Sequence, residues 1–250
     1  MRFSPHAPPP TAPPAAPPSR LHDAALRAAV VLAVCSLVLL ALVDVSWHPL
    51  VTLDAEVART THRWAVAEDG PTAVFRVLTD WFWDPLTLRA LTLAVAVWLA
   101  WRRGQWWSAL WLLGVVVVAA LAQQVLKAVV ARPRPVWPDP VDHAHYSAFP
   151  SGHAMTATVC CGLLLWVLYH QGVGRGVRRA AVTVAAVSVV GVGFTRVWLG
   201  VHWLSDVVGG WLLGALVVAA ALVVRERLPL LRDSGPRPTA RPRTGLRSRP

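Results

Sequence analysis

Six apolar runs, each about as long as a bilayer core is thick, leave this chain few folds to choose from. They cover roughly residues 24–43, 85–101, 106–130, 151–170, 180–194 and 203–224. A hydrocarbon core of about 30 Å takes about 20 residues of α-helix to cross. Lipid also obliges a spanning segment to satisfy its own backbone hydrogen bonds, which a helix does. The expected fold is therefore all-α, an integral membrane six-transmembrane-helix bundle. Composition agrees, with 55% of residues hydrophobic and only 15% charged, well outside the usual balance of a soluble domain.

The segments around the runs divide the chain. Residues 1–23 are mostly Pro, Ala and Ser and read as a disordered N-terminal tail, while 226–250 read as a disordered basic tail rich in Arg and Pro. The domain proper is then 24–225. No small-residue cleavage pattern follows the first run, which reads as a retained helix. Residues 44–84 hold seven acidic residues against Arg59, Arg63 and Arg76, with apolar residues at helical spacing through 55–67 and 74–82. That pattern predicts amphipathic surface helices between helices 1 and 2 of the bundle. Asp84-Pro85 reads as the N-cap and first position of the second span.

Charge placement orients the bundle. The turn at Arg102-Arg103, the loop with Arg175, Arg178 and Arg179, and the C-terminal tail fall on the same face as the N-terminus when the spans are counted in order. The positive-inside rule makes that face cytoplasmic, with both termini, and puts the acidic 44–84 segment outside. The net charge of +11 could suggest a nucleic-acid partner. That class is excluded because the arginines border apolar runs or sit in the tail. Cys35, Cys160 and Cys161 all lie inside apolar runs, with no disulfide or metal-type spacing. Tryptophans gather near the run ends as an interfacial belt, and the Gly210-x3-Gly214 spacing suits a close helix contact without implying a dimer.

Against this apolar background, Thr195-Arg-Val-Trp-Leu-Gly-Val-His-Trp-Leu-Ser-Asp206 stands out, because ionisable groups at membrane depth are costly and mark reaction sites or pathways. His202 and Asp206 are four apart, so on a helix they share a face and the carboxylate can hold the imidazole. The predicted external ends of other helices bring Lys127, Arg132, Arg134, Ser151, Gly152 and His153 to the same surface. Several fixed cations at one point suit a dianionic phosphate. The turn at Ser151 opens a helix, where free backbone N–H groups of Ser151, Gly152 and His153 would face an anion, and Gly152 would let the backbone approach it. Two histidines supply a nucleophile and an acid. Only His202 has an aspartate at i+4, so His202–Asp206 is the nucleophile pair and His153 the proton donor. His143-Ala-His145 with Asp142 reads as a solvated loop rather than a metal site.

Lys127-x6-Arg134-Pro135, Pro150-Ser-Gly-His153 and Thr195-Arg196-x5-His202-x3-Asp206 together resemble the three-part signature of the type 2 phosphatidic acid phosphatase (PAP2) superfamily. The resemblance covers 127–206 and departs only at Thr195, where the family usually has serine. It implies that Lys127, Arg134, Ser151, Gly152 and Arg196 bind phosphate, that His202, His153 and Asp206 are catalytic, and that neither metal nor cofactor is needed. The expected activity is hydrolysis of a phospholipid or polyprenyl phosphate or diphosphate at the external face of the cell membrane. Transfer of the phosphoryl group to another acceptor is the near alternative. A non-catalytic lipid-phosphate binder or transporter is a further one, though neither role needs two histidines so placed.

Overall fold

The computed structural model describes residues 20–228. The tails expected for 1–23 and 226–250 therefore lie outside the described residues, except at their inner ends. There the first helix already begins at Arg20 and the last continues to Arg227. The described residues form only helices: α1 (Arg20–Asp44), α2 (His48–Ala67), α3 (Asp69–Val77) running into a π-helical turn at Leu78–Phe82, α4 (Pro85–Arg103), α5 (Trp106–Val130), α6 (Gly152–His170), α7 (Arg175–Trp198) and α8 (Leu204–Arg227). Six stretches among them are long and apolar enough to cross a membrane, ending in α1, α4, α5, α6, α7 and α8. The chain is a multi-pass membrane protein built as a six-helix bundle.

Local chemistry explains the breaks. Asp84 caps α4 by accepting from the amides of Leu86 and Thr87 at 2.7 and 3.2 Å, with Pro85 in the first position. Gly104 closes the same helix in the left-handed conformation. After α5, the Arg132-Pro-Arg-Pro135 run cannot continue a helix, and residues 131–151 form a loop over one end of the bundle.

In α2, the residues at 54, 58, 61, 62 and 65 are buried and form one stripe. That stripe packs on α7 and α8 rather than lying free at a surface. Thr61, for example, donates to the carbonyl of Val197 at 3.3 Å. The amphipathic segment is thus a roof on the bundle, and α3 with its π-helical turn packs on α7 through Phe75, Phe194 and Trp198.

The crossing of α6 and α8 matters most for the site. A Cβ at Gly210 would lie 2.7 Å from the Ser151 carbonyl oxygen, and one at Gly214 would lie 2.8 Å from Cβ of Thr158. The Gly210-x3-Gly214 spacing therefore serves contact within the chain. It draws the first turns of α6 and α8 together, and both turns carry candidate residues.

Candidate active site

Every candidate residue sits at the end of the bundle roofed by α2. Lys127 is in the last turn of α5, Ser151 to His153 open α6, Arg196 is in the last turn of α7, and His202 and Asp206 flank the start of α8. Arg132 and Arg134 come from the loop after α5.

Asp206 ties these segments together. Its Oδ1 accepts from Arg132 Nη1 at 2.6 Å, and its Oδ2 accepts from the Trp203 amide at 2.9 Å and faces His202 Nδ1 at 3.3 Å. Its backbone carbonyl accepts from the Ser151 amide at 2.9 Å. The His202–Asp206 pair forms as the spacing suggested, but not on a shared helical face. His202 lies in the turn before Trp203, and Asp206, at the third helical position, reaches back over the helix N-terminus. Gly200, at φ +70°, makes this turn possible. A Cβ there would sit 2.6 Å from Trp137 Nε1, whose N–H donates to the Gly200 carbonyl at 2.9 Å.

Arg134 fixes the tautomer of His202. Its guanidinium can only donate, and its Nη1 lies 3.1 Å from His202 Nε2. Nε2 is therefore the acceptor nitrogen and Nδ1 carries the proton toward Asp206. Burial lowers the His202 pKa well below the usual histidine value, and the charges of Arg134, Arg196 and Lys127 add to the effect. The imidazole is neutral, with its lone pair on Nε2. The remaining donors of Arg134 reach backbone carbonyls: Val201 at 2.6 Å, Tyr146 at 2.8 Å and His145 at 3.0 Å. Lys127 Nζ donates to the Ser147 carbonyl. His153 has no hydrogen-bond partner among the described residues and lies within electrostatic reach of Arg196, His202, Arg134 and Lys127.

Two polar atoms of this cluster are buried without a partner: Ser151 Oγ and Arg196 Nε. Arg196 itself is 4% exposed, and its nearest anion is Asp142 at 3.5 Å. A buried unpaired donor is expensive, and this pair asks for an acceptor with several oxygens.

Four particulars depart from the expectations. The Ser151 amide is taken by the Asp206 carbonyl, so the anion-facing amides at this turn reduce to those of Gly152 and His153. A Cβ at Gly152 would lie 2.8 Å from Gln123 Nε2, so this glycine makes room for a glutamine. Arg132 is a carboxylate partner, joining Asp206 to Asp54 Oδ2 at 2.8 Å. Thr195 donates its hydroxyl to the Val192 carbonyl at 2.9 Å and accepts from Thr79 at 2.6 Å, so it braces α7 against the π-helical turn.

Asp54 and Asp142 are the residues that sequence reasoning missed. Asp54, in α2, is 1% exposed and also accepts from the Ser205 amide at 2.9 Å and the Ser205 hydroxyl. The signal was present: Asp54 stands in line with Ala58, Thr61 and Ala65 on the apolar face of α2. Asp142 gave no such signal beside His143 and His145, which are exposed.

Comparison with known proteins points one way. The family model described as "PAP2 superfamily" matches residues 108–229. Phosphatidylglycerophosphatase B of Bacillus subtilis (strain 168) is 36% identical over 44% of this chain and 55% of its own length. An undecaprenyl-diphosphatase of Sulfolobus acidocaldarius is 30% identical over 46% of this chain and 53% of its own. The chain thus spans about half the length of these relatives. The crystal structure of a transmembrane PAP2 type phosphatidylglycerolphosphate phosphatase from Bacillus subtilis superposes with a TM-score of 0.71 at 25% identity. That match covers 80% of this chain and 96% of that one.

Proposed function

Because the chain belongs to the PAP2 superfamily, we propose that it hydrolyses the terminal phosphate of a membrane lipid through a phosphohistidine on His202, with no metal. The observation that carries this reading is the buried pair of unpartnered atoms, Ser151 Oγ and Arg196 Nε, beside a neutral His202 whose Nε2 holds a lone pair. The names of the relatives, a phosphatidylglycerophosphatase and an undecaprenyl-diphosphatase, support both phosphomonoester and diphosphate substrates.

In this mechanism the terminal phosphate enters between Arg134 and His202, displacing the Arg134–Nε2 contact. Arg134, Arg196 and Lys127 neutralise its oxygens, and the Ser151 hydroxyl with the Gly152 and His153 amides supplies further donors. His202 Nε2 attacks phosphorus while Asp206 accepts the hydrogen bond from Nδ1–H and stabilises the forming imidazolium. The phosphorus–oxygen bond to the lipid breaks, and His153 gives its proton to the departing oxygen. His153, now neutral, takes a proton from water as that water attacks the phosphohistidine, which releases phosphate and restores both histidines. A site at helix ends lets the lipid tail stay in the bilayer throughout.

The test is phosphate release by purified protein from phosphatidic acid, phosphatidylglycerol phosphate and a polyprenyl diphosphate. Wild type should act on at least one, chelators should leave that activity intact, and His202→Ala should abolish it. Rapid quench of His153→Ala with p-nitrophenyl phosphate, whose leaving group needs no proton, should trap phosphorus on histidine. Activity lost to EDTA and restored by magnesium would overturn the metal-free route.

The site faces the outside of the cell membrane and both termini are cytoplasmic. Arg102, Arg103, Arg175, Arg178 and Arg179 support this, all lying at the end of the bundle opposite the site. In a background without the native cysteines, Val136→Cys should react with an impermeant thiol reagent on intact cells and Gly174→Cys should not. The reverse pattern would invert the orientation.

A further inference from the structure

Arg89 lies in the second turn of α4, inside a membrane span. It is partly buried, and its guanidinium makes one hydrogen bond, from Nη2 to Thr156 Oγ1 at 3.2 Å. It forms no ion pair with any described residue. Gln123 of α5 is 7% exposed, and its amide has no hydrogen-bond partner among the described residues. Both side chains line a narrow cleft of about 10 Å³ between α4, α5 and α6 with Thr156, walled by Ala119, Met155 and Val159, which a phosphate would have to widen. A cation at membrane depth without a counter-charge is a costly arrangement unless a ligand completes it, and the Gln123 amide beside it is open to the same ligand.

The groove is placed to meet the substrate. Thr156 is three residues after His153 on α6, so it lies on the same face, one turn, about 5 Å, deeper in the bundle. Gln123 is four residues before Lys127 on α5 and likewise one turn deeper, and it abuts Gly152. Gln123 and Thr156, with Arg89 bonded to the latter, therefore lie one turn deeper in the bundle than Lys127 and His153. Resting on the phosphatase reading above, we propose that Arg89 and Gln123 form a second anion subsite for lipids that carry two phosphates in series. The terminal phosphate meets His202, and the inner one lies between Arg89, Gln123 and Thr156. A lipid with a single phosphate places its glycerol and ester carbonyls there, and these cannot neutralise a guanidinium. A second phosphate can, and it offers Gln123 an acceptor. That chemistry belongs both to a lipid diphosphate and to a phosphomonoester carried on a phosphodiester lipid.

The experiment measures kcat/KM of the purified full chain in detergent on phosphatidic acid, phosphatidylglycerol phosphate and farnesyl diphosphate. The proteins compared are wild type, Arg89→Gln, Arg89→Lys and Gln123→Leu. Losing a charged hydrogen-bond partner costs roughly 10- to 100-fold. Arg89→Gln should lower the ratio of two-phosphate to one-phosphate kcat/KM by about that factor, mainly through KM. Arg89→Lys should recover most of the ratio, and Gln123→Leu should lower it about threefold or more. A drop confined to farnesyl diphosphate assigns the subsite to lipid diphosphates, and one confined to phosphatidylglycerol phosphate assigns it to the phosphodiester lipid. Equal losses on all three lipids, or an unchanged ratio in Arg89→Gln, would overturn the subsite and leave the phosphatase reading standing. Should Arg89→Gln fail to fold, the ratio in Gln123→Leu decides in the same way. A wild type that releases phosphate from none of the three would overturn the phosphatase reading, and the subsite with it.

Discussion

The cations of the site and most of those at the opposite end of the bundle are treated in opposite ways. Arg225, buried against Trp111 and Trp166, is the exception at the far end. Away from the site, Arg102, Arg103, Arg175 and Arg179 are exposed, and Arg103 and Arg178 lean on the rings of Trp98 and Tyr169 at 5.6 Å. At the site end, Lys127 and Arg196 are 8% and 4% exposed, and Arg132 and Arg134 are drawn against carboxylates and backbone carbonyls. An exposed arginine beside an apolar run meets water and lipid headgroups, and it influences orientation. A buried one has already lost its hydration, so its field is little screened and its geometry is set before substrate arrives. The arginine total therefore says little about chemistry, whereas the partners of each guanidinium say a great deal.

The sharpest way to break this comparison is to remove one group from each end. His202→Ala should cut turnover of lipid phosphates on the order of 10,000-fold or more, while Arg102→Ala and Arg175→Ala stay within about twofold, the range of exposed ion contacts. Comparable losses at both ends, measured on equally inserted protein, would deny that only the roofed end does chemistry.

Next in size are the cations proposed to bind phosphate. Arg134→Ala and Arg196→Ala should each lower kcat roughly 100- to 1000-fold. Arg134→Ala carries a second signature. His202 is held below its ordinary pKa of 6.5 by burial first and then by Arg134 and its neighbours. The neutral, reactive form thus persists as pH falls through 6.5. Removing the Arg134 charge eases protonation, so the acid limb of kcat/KM should move to higher pH relative to wild type on the same substrate. A limb that stays in place or moves down would contradict this electrostatic role.

A smaller effect is expected from the support behind the pair. Asp54→Asn and Arg132→Gln should each reduce kcat about 10-fold with little change in KM, because both act on Asp206 and through it on His202. Since they share one network, the double variant should lose less than the product of the single losses. Additive losses would separate Asp54 from Asp206. Smallest of all is Thr195→Ser, expected within about threefold because the retained hydroxyl can still bond Thr79 and Val192. A tenfold rise in KM would instead place that hydroxyl against phosphate.

Much of this molecule was determined by the sequence alone. Apolar runs of bilayer length allow only helices, because lipid offers no hydrogen-bond partners to an open backbone. Three charged motifs at the ends of those runs had to meet at one surface, because each is costly anywhere else in the membrane. What each residue does there was decided only by packing. Arg132 and Arg134 are two apart in a proline-bound loop, and nothing local says that one serves two carboxylates and the other His202. Asp54 and Ser205 meet across 151 residues, and Ser151 donates to Asp206 because glycines let α6 and α8 close together. Such pairings depend on the approach of whole helices, so they appear only when the bundle is assembled.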